Sequence, residues 1–170
     1  QMIITLESGY ALDLAASRAA SNRAAGRTDG KRDSSTSAVE IEVVGVCAEL
    51  AFARWRGLDD SSVQWLWRDT DPGWDFDLAP HGKIDVKGTL GKDRNLIFPK
   101  NKWPPKADWL VLAWVSNLGS AGFEVDLVGC CTVFDFERFK RTSPPSWPSP
   151  AWVFDHRALG PMQVLAKGAK

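Results

Sequence analysis

Two short runs in which apolar and polar residues alternate occupy residues 73–89, in the segment GWDFDLAPHGKIDVKGT. Successive side chains of a β-strand point to opposite faces, so alternation with a period of two predicts one strand for each run. The connection at residues 79–82 contains Pro and Gly, which suit the second and last positions of a tight turn. The pattern therefore predicts a β-hairpin.

Charged residues occupy the polar faces of this hairpin at short spacing. Asp75 and Asp77 share one face of the first strand, and Asp85 and Lys87 share one face of the second. Closing the hairpin can bring Asp75, Asp85 and Lys87 to the same face. Carboxylates at such distances repel each other unless a positive charge lies between them. A hard divalent cation prefers oxygen ligands, and an ammonium group beside it can orient or deprotonate a water.

Two helices are predicted before the hairpin. Residues 11–26 are rich in Ala, with Gly26 as a stop signal, and a polar loop follows at residues 27–37. A second helix is predicted over residues 38–58, with Ser37 as its N-cap and Gly57 near its end. These two helices would flank whatever sheet the strands form.

Further strands follow from the remaining apolar segments. They are predicted at residues 63–67, 107–116 and 123–133, and the almost wholly apolar 107–116 is typical of a central strand. The Pro-rich residues 142–152 exclude a helix or a central strand, and residues 158–168 are predicted as a short terminal helix. The order of elements predicts a mixed α/β, or α+β, fold.

The composition is that of one globular domain with a substantial core. The chain has 170 residues, of which 44% are hydrophobic and 25% charged. We treat residues 1–170 as a single domain with its core at 38–133, preceded by the N-terminal helix and loop at 1–37. The Pro-rich segment and terminal helix occupy 142–170.

Charge, hydropathy and cysteine content indicate the cellular compartment of the protein and what it needs to bind a polyanion. The formal net charge is zero, so a polyanion would need a local basic patch. No apolar run is long enough to span a membrane and the first residues do not resemble a signal peptide, so we expect a cytoplasmic protein. Cys47, Cys130 and Cys131 lack the spacing of metal ligands and suit free thiols in a reducing compartment.

A basic segment follows the second strand of the hairpin, at residues 90–106. Its cations are Lys92, Arg94, Lys100, Lys102 and Lys106, against one acid, Asp93. The segment is either a solvated loop or a phosphate-binding surface, and its position directly after the charged strand favours phosphate binding. Trp103 can stack on a base or sugar or cover the core, and we expect the core.

The motif resembles the PD-(D/E)xK nuclease superfamily, which has the restriction-endonuclease-like fold. Its parts are Asp75, then Asp85-Val86-Lys87 ten residues later, and a helical Glu49 upstream in GVCAELAFARW. With the segments ADWLVLAWV and VDLVGCCT, the chain is similar to small phage or bacterial endonuclease-like proteins over roughly residues 38–132. Trp74 stands where the family name has Pro.

The resemblance implies a fold and a role for each motif residue. It implies a central mixed sheet of four to five strands flanked by helices. Asp75 and Asp85 would be ligands of Mg²⁺, for which Mn²⁺ substitutes, together with the Val86 carbonyl. Lys87 would orient or deprotonate the attacking water, and Glu49 would hold a water or a second ion.

Two further side chains are candidates for the site. Asp77 lies on the same strand face as Asp75 and is its rival as first ligand, but the family pattern matches GWDF and favours Asp75. Arg56 lies two turns after Glu49 on roughly the same helix face and is a candidate for a phosphate contact.

The implied function is DNA hydrolysis by an endonuclease in a bacterial cell or a phage-infected host. DNA is the implied partner, and a homodimer is compatible with it. An inactive relative that keeps the fold for nucleic-acid binding or protein interaction is the alternative. A carbohydrate-binding module is a third hypothesis, raised by the nine Trp, but many of these Trp fall inside predicted strands and helices.

Overall fold

Three helices and eight strands are seen in the part of the chain that the computed structural model describes, residues 2–24, 38–63 and 72–166. The helices are α1 (Ser8–Ala24), α2 (Ala38–Trp55) and α3 (Val133–Phe139). The strands are β1 (Ile3–Leu6), β2 (Phe76–Leu78), β3 (Gly82–Leu90), β4 (Leu96–Pro99), β5 (Trp109–Asn117), β6 (Phe123–Thr132), β7 (Arg141–Thr142) and β8 (Ala151–Phe154).

The strands form two sheets. The main sheet is curled and mixed, with the order β1-β6-β5-β3-β2; β3 and β5 are parallel and every other pair is antiparallel. A second sheet has the antiparallel order β4-β8-β7. The predicted mixed α/β architecture, with a sheet of four to five strands flanked by helices, is confirmed at this level.

Helix α2 covers one face of the main sheet and ends where the sequence predicts. Gly57 adopts a left-handed φ of 68°. Its N–H bonds to the Arg54 carbonyl at 3.0 Å, and the Leu58 N–H bonds to the Ala53 carbonyl at 2.9 Å. These two bonds form a Schellman motif, which satisfies carbonyls that the helix end leaves without partners.

Gly88 allows α2 to lie directly on β3. A Cβ placed on Gly88 would come within 2.5 Å of the Val44 carbonyl oxygen and 3.0 Å of the Ala48 Cβ. Only a residue without a side chain fits between helix and strand at this distance. The close approach brings the middle of α2 next to the hairpin.

A second core fills the space between the other face of the main sheet and the small sheet. Leu110 and Leu112 of β5 meet Phe98, Phe136 and Phe154 there. Trp103 packs into this core, with its ring stacked on Phe136 at 5.0 Å between centroids and edge-on to Phe98 at 5.6 Å. The predicted core position of Trp103 is confirmed.

The N-terminal half differs from the sequence prediction in three ways. Strand β1 was not predicted, and α1 begins at Ser8 instead of residue 11. Val63 follows a 3₁₀ turn at Asp60–Ser62 and is not in a strand. The predicted loop, the helix stop at Gly26, the N-cap Ser37 and the rest of the predicted strand, residues 64–67, lie outside the described residues.

The C-terminal half differs because long-range partners decide its structure. Strand β4 lies inside the predicted basic loop, and β8 is the central strand of the small sheet although its first two residues belong to the Pro-rich segment. The predicted terminal helix is wrong: its residues form 3₁₀ turns at His156–Ala158 and Met162–Leu165. Gly160 between them exchanges two backbone hydrogen bonds with Cys130, at 2.8 and 3.0 Å.

The three cysteines are free and buried, as expected. Burial raises the pKa of the thiols of Cys47, Cys130 and Cys131 to about 12, so they stay protonated and unreactive. Among the described helices, none combines the length and apolar character that crossing a bilayer requires.

The contact at Gly88 can be tested by adding a methyl group. Gly88→Ala should lower the free energy of unfolding by about 1–3 kcal/mol, because the helix must move away from the strand. Gly9→Ala is the matched control, since the space around a Cβ on Gly9 in α1 is open. It should be neutral or stabilising by up to about 1 kcal/mol. Urea unfolding measures both, and equal stabilities would contradict the close packing of α2 on β3.

Candidate active site

The hairpin opens at its base, and Asp75 fills the gap. Strand β2 pairs only with Gly82–Ile84 of β3, although β3 continues to Leu90. The Asp75 N–H donates to the Ile84 carbonyl at 2.9 Å, and the Asp75 Oδ2 accepts from the Val86 N–H at 2.7 Å. The carboxylate therefore takes the place of a strand partner. Because N–H and C=O of one strand residue point to the same side, the Val86 carbonyl also faces this edge.

The side chains of Asp85 and Lys87 lie on the same face of β3, as the alternation predicted. The Asp85 side chain is buried, and Lys87 Nζ contacts its Oδ1 at 2.6 Å. Lys87 Nζ also lies 5.3 Å from the centre of the Phe98 ring, at the margin of the second core. Asp75 is close enough to this pair for its pKa to be affected by the charges of Asp85 and Lys87.

Helix α2 contributes Glu49 to the same region, held by a residue that sequence reasoning missed. Arg18 of α1 contacts Glu49 Oε1 through Nη1 at 2.7 Å and Glu42 Oε2 through Nε at 2.8 Å. Asn22, one turn later, donates to Glu42 Oε1 at 2.8 Å. Gly45 faces the Arg18 guanidinium across the gap between the helices. The sequence contained one indication of this contact, because Arg18 and Asn22 lie one turn apart on an otherwise Ala-rich helix.

Acidic groups outnumber basic ones around this edge. Among the described residues, the carboxylates of this region include Glu42, Glu49, Asp75 and Asp85, and Arg18 and Lys87 are cations that contact three of them. Counted over these six side chains alone, the ionised forms carry two more negative than positive charges.

In this group of carboxylates, Asp75 has a raised pKa. Burial, and then the charges of Glu49 and Asp85, raise the pKa of Asp75 well above its ordinary value, against the opposing effects of Lys87 and the Val86 N–H. Glu49 and Asp85, which come from two other segments of the chain, therefore lie near enough to Asp75 to affect its pKa.

Lys87 keeps its proton in this site. Burial alone would lower the pKa of Lys87, but the charges of Asp85 and Asp75 outweigh it, and the net direction is upward. A charged ammonium donates hydrogen bonds and stabilises negative charge, but it cannot accept a proton. The raised pKa therefore suits the orienting role that the sequence predicts for Lys87 better than the deprotonating role.

The donor set matches Mg²⁺ in chemistry but is held in ion pairs. Carboxylate and carbonyl oxygens are the ligands of a hard cation, and the excess negative charge would be balanced by one divalent ion. Among the described residues, however, no group of three His, Cys, Asp or Glu side chains converges closely enough to hold an ion. Arg18 occupies Glu49 and Lys87 occupies Asp85, so an ion would have to displace or share these contacts.

Two predicted side chains lie elsewhere. Asp77 is exposed and pairs in register with Lys83, which supports Asp75 over Asp77 as the residue at the edge. Arg56 is only 8% exposed, and its Nη1 donates to the Leu165 carbonyl. The phosphate contact of Arg56 stays a prediction, and it would require the guanidinium to leave this buried contact with the C-terminal segment.

The five cations of the basic segment have different surroundings. Lys92 Nζ lies 3.8 Å from Glu124, and Lys106 lies beside Gly73. Lys100 Nζ lies 4.2 Å from the centre of the Trp152 ring. Lys102 and Arg94 are exposed. Strand β4 separates these cations along the chain, so they do not form the continuous loop that the sequence suggested.

No protein-family model, curated protein or solved structure matches this chain. The structure itself describes a mixed α/β protein with a cluster of charged side chains at the edge of β3 that β2 leaves unpaired.

Asp75→Asn should change how stability depends on pH. Because the pKa of Asp75 is raised in the folded protein, its contribution to stability is complete below the unfolded value of about 3.9 and is lost as pH rises through the folded value. In EDTA, the wild type should therefore lose stability relative to Asp75→Asn over this interval, by about 1.4 kcal/mol for each unit between the two pKa values.

The side-chain oxygen of Asn can still accept the Val86 N–H, so Asp75→Asn changes mainly the charge. Asp77→Asn is the control, since Asp77 is exposed on the same strand. Denaturant unfolding at a series of pH values measures all three proteins. A difference between wild type and Asp75→Asn that stays constant with pH would show that Asp75 carries no electrostatic strain.

The Arg18–Glu49 contact should couple α1 to the site energetically. A double-mutant cycle with Arg18→Gln and Glu49→Gln should give a coupling of about 1–3 kcal/mol, because the Glu49 side chain is 6% exposed. The Arg54–Asp60 pair, with side chains 38% and 28% exposed, should give about 0.2–1 kcal/mol in the same experiment. Equal coupling energies for the two pairs would show that the Arg18–Glu49 contact is no stronger than a surface ion pair.

Proposed function

We propose that this protein is a metal-dependent nuclease of the PD-(D/E)xK type, with a restriction-endonuclease-like core, that hydrolyses phosphodiester bonds within DNA. The observation that carries the proposal is the opened edge of β3. Asp75 is bonded to the Val86 N–H there, the Asp85–Lys87 pair lies on the same strand, and Glu49 lies close enough to affect the Asp75 pKa.

In this proposal Asp75, Asp85 and the Val86 carbonyl hold Mg²⁺, and Mn²⁺ can replace it. Such an ion polarises a phosphoryl oxygen and lowers the pKa of a water. The Lys87 ammonium orients the attacking water and stabilises the negative charge that develops on the phosphate. Glu49 accepts a hydrogen bond from that water once its contact with Arg18 is loosened.

The reaction is a hydrolysis with balanced bond changes. The water oxygen forms a bond to phosphorus, and the bond from phosphorus to the leaving sugar oxygen breaks. The attacking water loses a proton to a carboxylate or to solvent, and the leaving oxygen gains one. No oxidant or second substrate is required, and the ends of the cut strand are a phosphate and a hydroxyl.

A second candidate is an inactive protein of the same fold that binds nucleic acid or another protein. The observation in its favour is that Arg18 and Lys87 hold Glu49 and Asp85 in ion pairs at 2.7 and 2.6 Å. If these ion pairs are permanent, no metal ion binds, and the repulsion between the carboxylates only lowers the stability of the fold. The two candidates differ in their response to metal.

Cleavage should require a divalent metal and Asp85. Linear duplex, circular single-stranded and four-way-junction DNA are incubated with Mg²⁺, with Mn²⁺ or with EDTA, and the products are separated on denaturing gels. At least one substrate should be cut with metal and none with EDTA. Asp85→Asn should reduce the rate by about 10²-fold or more, because a ligand of the ion is weakened. Asp77→Asn is the matched control and should retain activity.

The melting temperature distinguishes the two candidates without a substrate. Mn²⁺ at about ten times its dissociation constant should stabilise the wild type by roughly 1.4 kcal/mol, and Asp85→Asn should lose most of this effect. Undiminished cleavage by Asp85→Asn would overturn the assignment of Asp85 as a metal ligand and with it the proposed active site. Absence of both cleavage and metal stabilisation in the wild type would favour the inactive candidate.

A further inference from the structure

A groove of about 370 Å³ lies on the outer face of the small sheet. Ile97, Val153 and Arg141 are aligned in register across β4, β8 and β7, and all three line the groove. Their strand neighbours Phe98 and Trp152 point the other way, into or against the second core. The groove therefore lies on the side of the small sheet that faces away from the main sheet, and we call it the outer groove.

The outer groove combines an apolar floor with cationic and aromatic walls. Ile97 and Val153 form the floor, while Arg94, Arg141 and Trp147 stand around it. The Trp147 side chain is 37% exposed. An apolar floor with an accessible indole suits a flat ring, and two guanidinium groups suit an anion attached to it.

One wall of the outer groove is anchored to the core. The Arg94 carbonyl accepts the Trp114 indole N–H at 2.9 Å. The Asn95 Oδ1 accepts the His156 N–H at 3.1 Å, which leaves the amide N–H groups of Asn95 as the donors it can offer a ligand. These bonds fix the backbone that carries Arg94, so this wall is in place before any ligand arrives.

The opposite wall carries a loosely held cation. Arg141 is 66% exposed and lies 3.4 Å from Asp155 Oδ2. The same oxygen is contacted more closely by Arg157, at 2.7 Å. Because Asp155 is already engaged by Arg157, the Arg141 guanidinium can turn to an incoming anion at small cost.

Positive charge extends beyond the outer groove along the same strands. Lys100 Nζ lies 3.5 Å from Thr142 Oγ1, next to Arg141. Asp93 is the acid that lines the groove. Arg94, Arg141 and Lys100 therefore lie near one another beside the acids Asp93 and Asp155, in a chain whose net charge is zero.

We propose that the outer groove binds single-stranded nucleic acid, with an unpaired base on Trp147 and its phosphates on Arg94 and Arg141. A duplex keeps its bases stacked inside, where neither the apolar floor nor the indole can reach them, whereas a single strand offers ring faces and phosphates together. That the bound strand is the one cleaved depends on the proposed function; the binding itself does not.

The test measures binding in EDTA, so that no strand is cut. Fluorescence anisotropy compares a labelled oligo(dT), longer than the roughly 4–16 nucleotides that one small domain covers, with a duplex of the same length. Oligo(dT) should bind the wild type about tenfold more tightly than the duplex, because only its bases can stack. Trp147→Ala should weaken oligo(dT) binding by about tenfold and Trp147→Phe by less.

The cationic walls are tested by the dependence on salt. The slope of log affinity against log salt for oligo(dT) should become shallower by about 1.4 in the Arg94→Ala, Arg141→Ala double variant, since two phosphate contacts are lost. Phe134→Ala removes an aromatic side chain that is 74% exposed, and Arg23→Ala removes an exposed cation of α1. These matched controls should bind like the wild type.

Each outcome decides for or against the outer groove. Equal binding of oligo(dT) and duplex, or unchanged binding by Trp147→Ala and the double Arg variant, would overturn the proposal. Oligo(dT) binding that depends on the groove, in a wild type that cuts no DNA with Mn²⁺, would uphold the groove and refute the nuclease. Cleavage that depends on Asp85, together with oligo(dT) binding that does not depend on the groove, would uphold the nuclease and refute the groove.

Discussion

The hydrogen bond from the Val86 N–H to the Asp75 carboxylate is the contact on which the geometry of the site depends. Strand β3 is longer than its partner β2, so its backbone beyond Ile84 needs other acceptors on that side. A buried N–H without an acceptor is costly, and Asp75 supplies one. The same bond brings a carboxylate to the edge of a strand that already carries Asp85 and Lys87. The same hydrogen bond therefore gives the β3 backbone its acceptor and brings the acidic side chains together.

Like charges in a buried cluster must be balanced, and this requirement links the helices to the sheet. Arg18 bridges Glu42 and Glu49 and so ties α1 to α2, while Lys87 balances Asp85 on β3. Gly88 and Gly45 leave the room for these contacts, one between helix and strand and one beside the guanidinium. Burial, and then the charges of Glu49 and Asp85, raise the pKa of Asp75, and in the proposed function a divalent ion offsets these negative charges.

The chain places its two charged regions on different sheets. The acidic cluster lies at the edge of the main sheet, and the cationic outer groove lies on the exposed face of the small sheet. The second core, with Phe98, Trp103 and Phe136, lies between the two sheets. Since the net charge is zero, attraction to a polyanion depends on the local cations of the small sheet and not on the protein as a whole.

The sequence by itself determined the features that depend on local periodicity and turn chemistry. The β2–β3 hairpin, the end of α2 at Gly57, the central strand β5, the shared face of Asp85 and Lys87 and the mixed α/β class were all predictable. Each follows from alternation, helical spacing or a Gly conformation, which neighbours along the chain decide.

Only the tertiary structure decided which distant groups meet. It selected Asp75 over Asp77 at the edge of β3, brought Arg18 to Glu49, and turned Arg56 inward to the Leu165 carbonyl. It also made a strand of Leu96–Pro99 and replaced the predicted terminal helix with 3₁₀ turns. These outcomes depend on hydrogen bonds and ion pairs between residues far apart in sequence, whose free energy no local pattern contains.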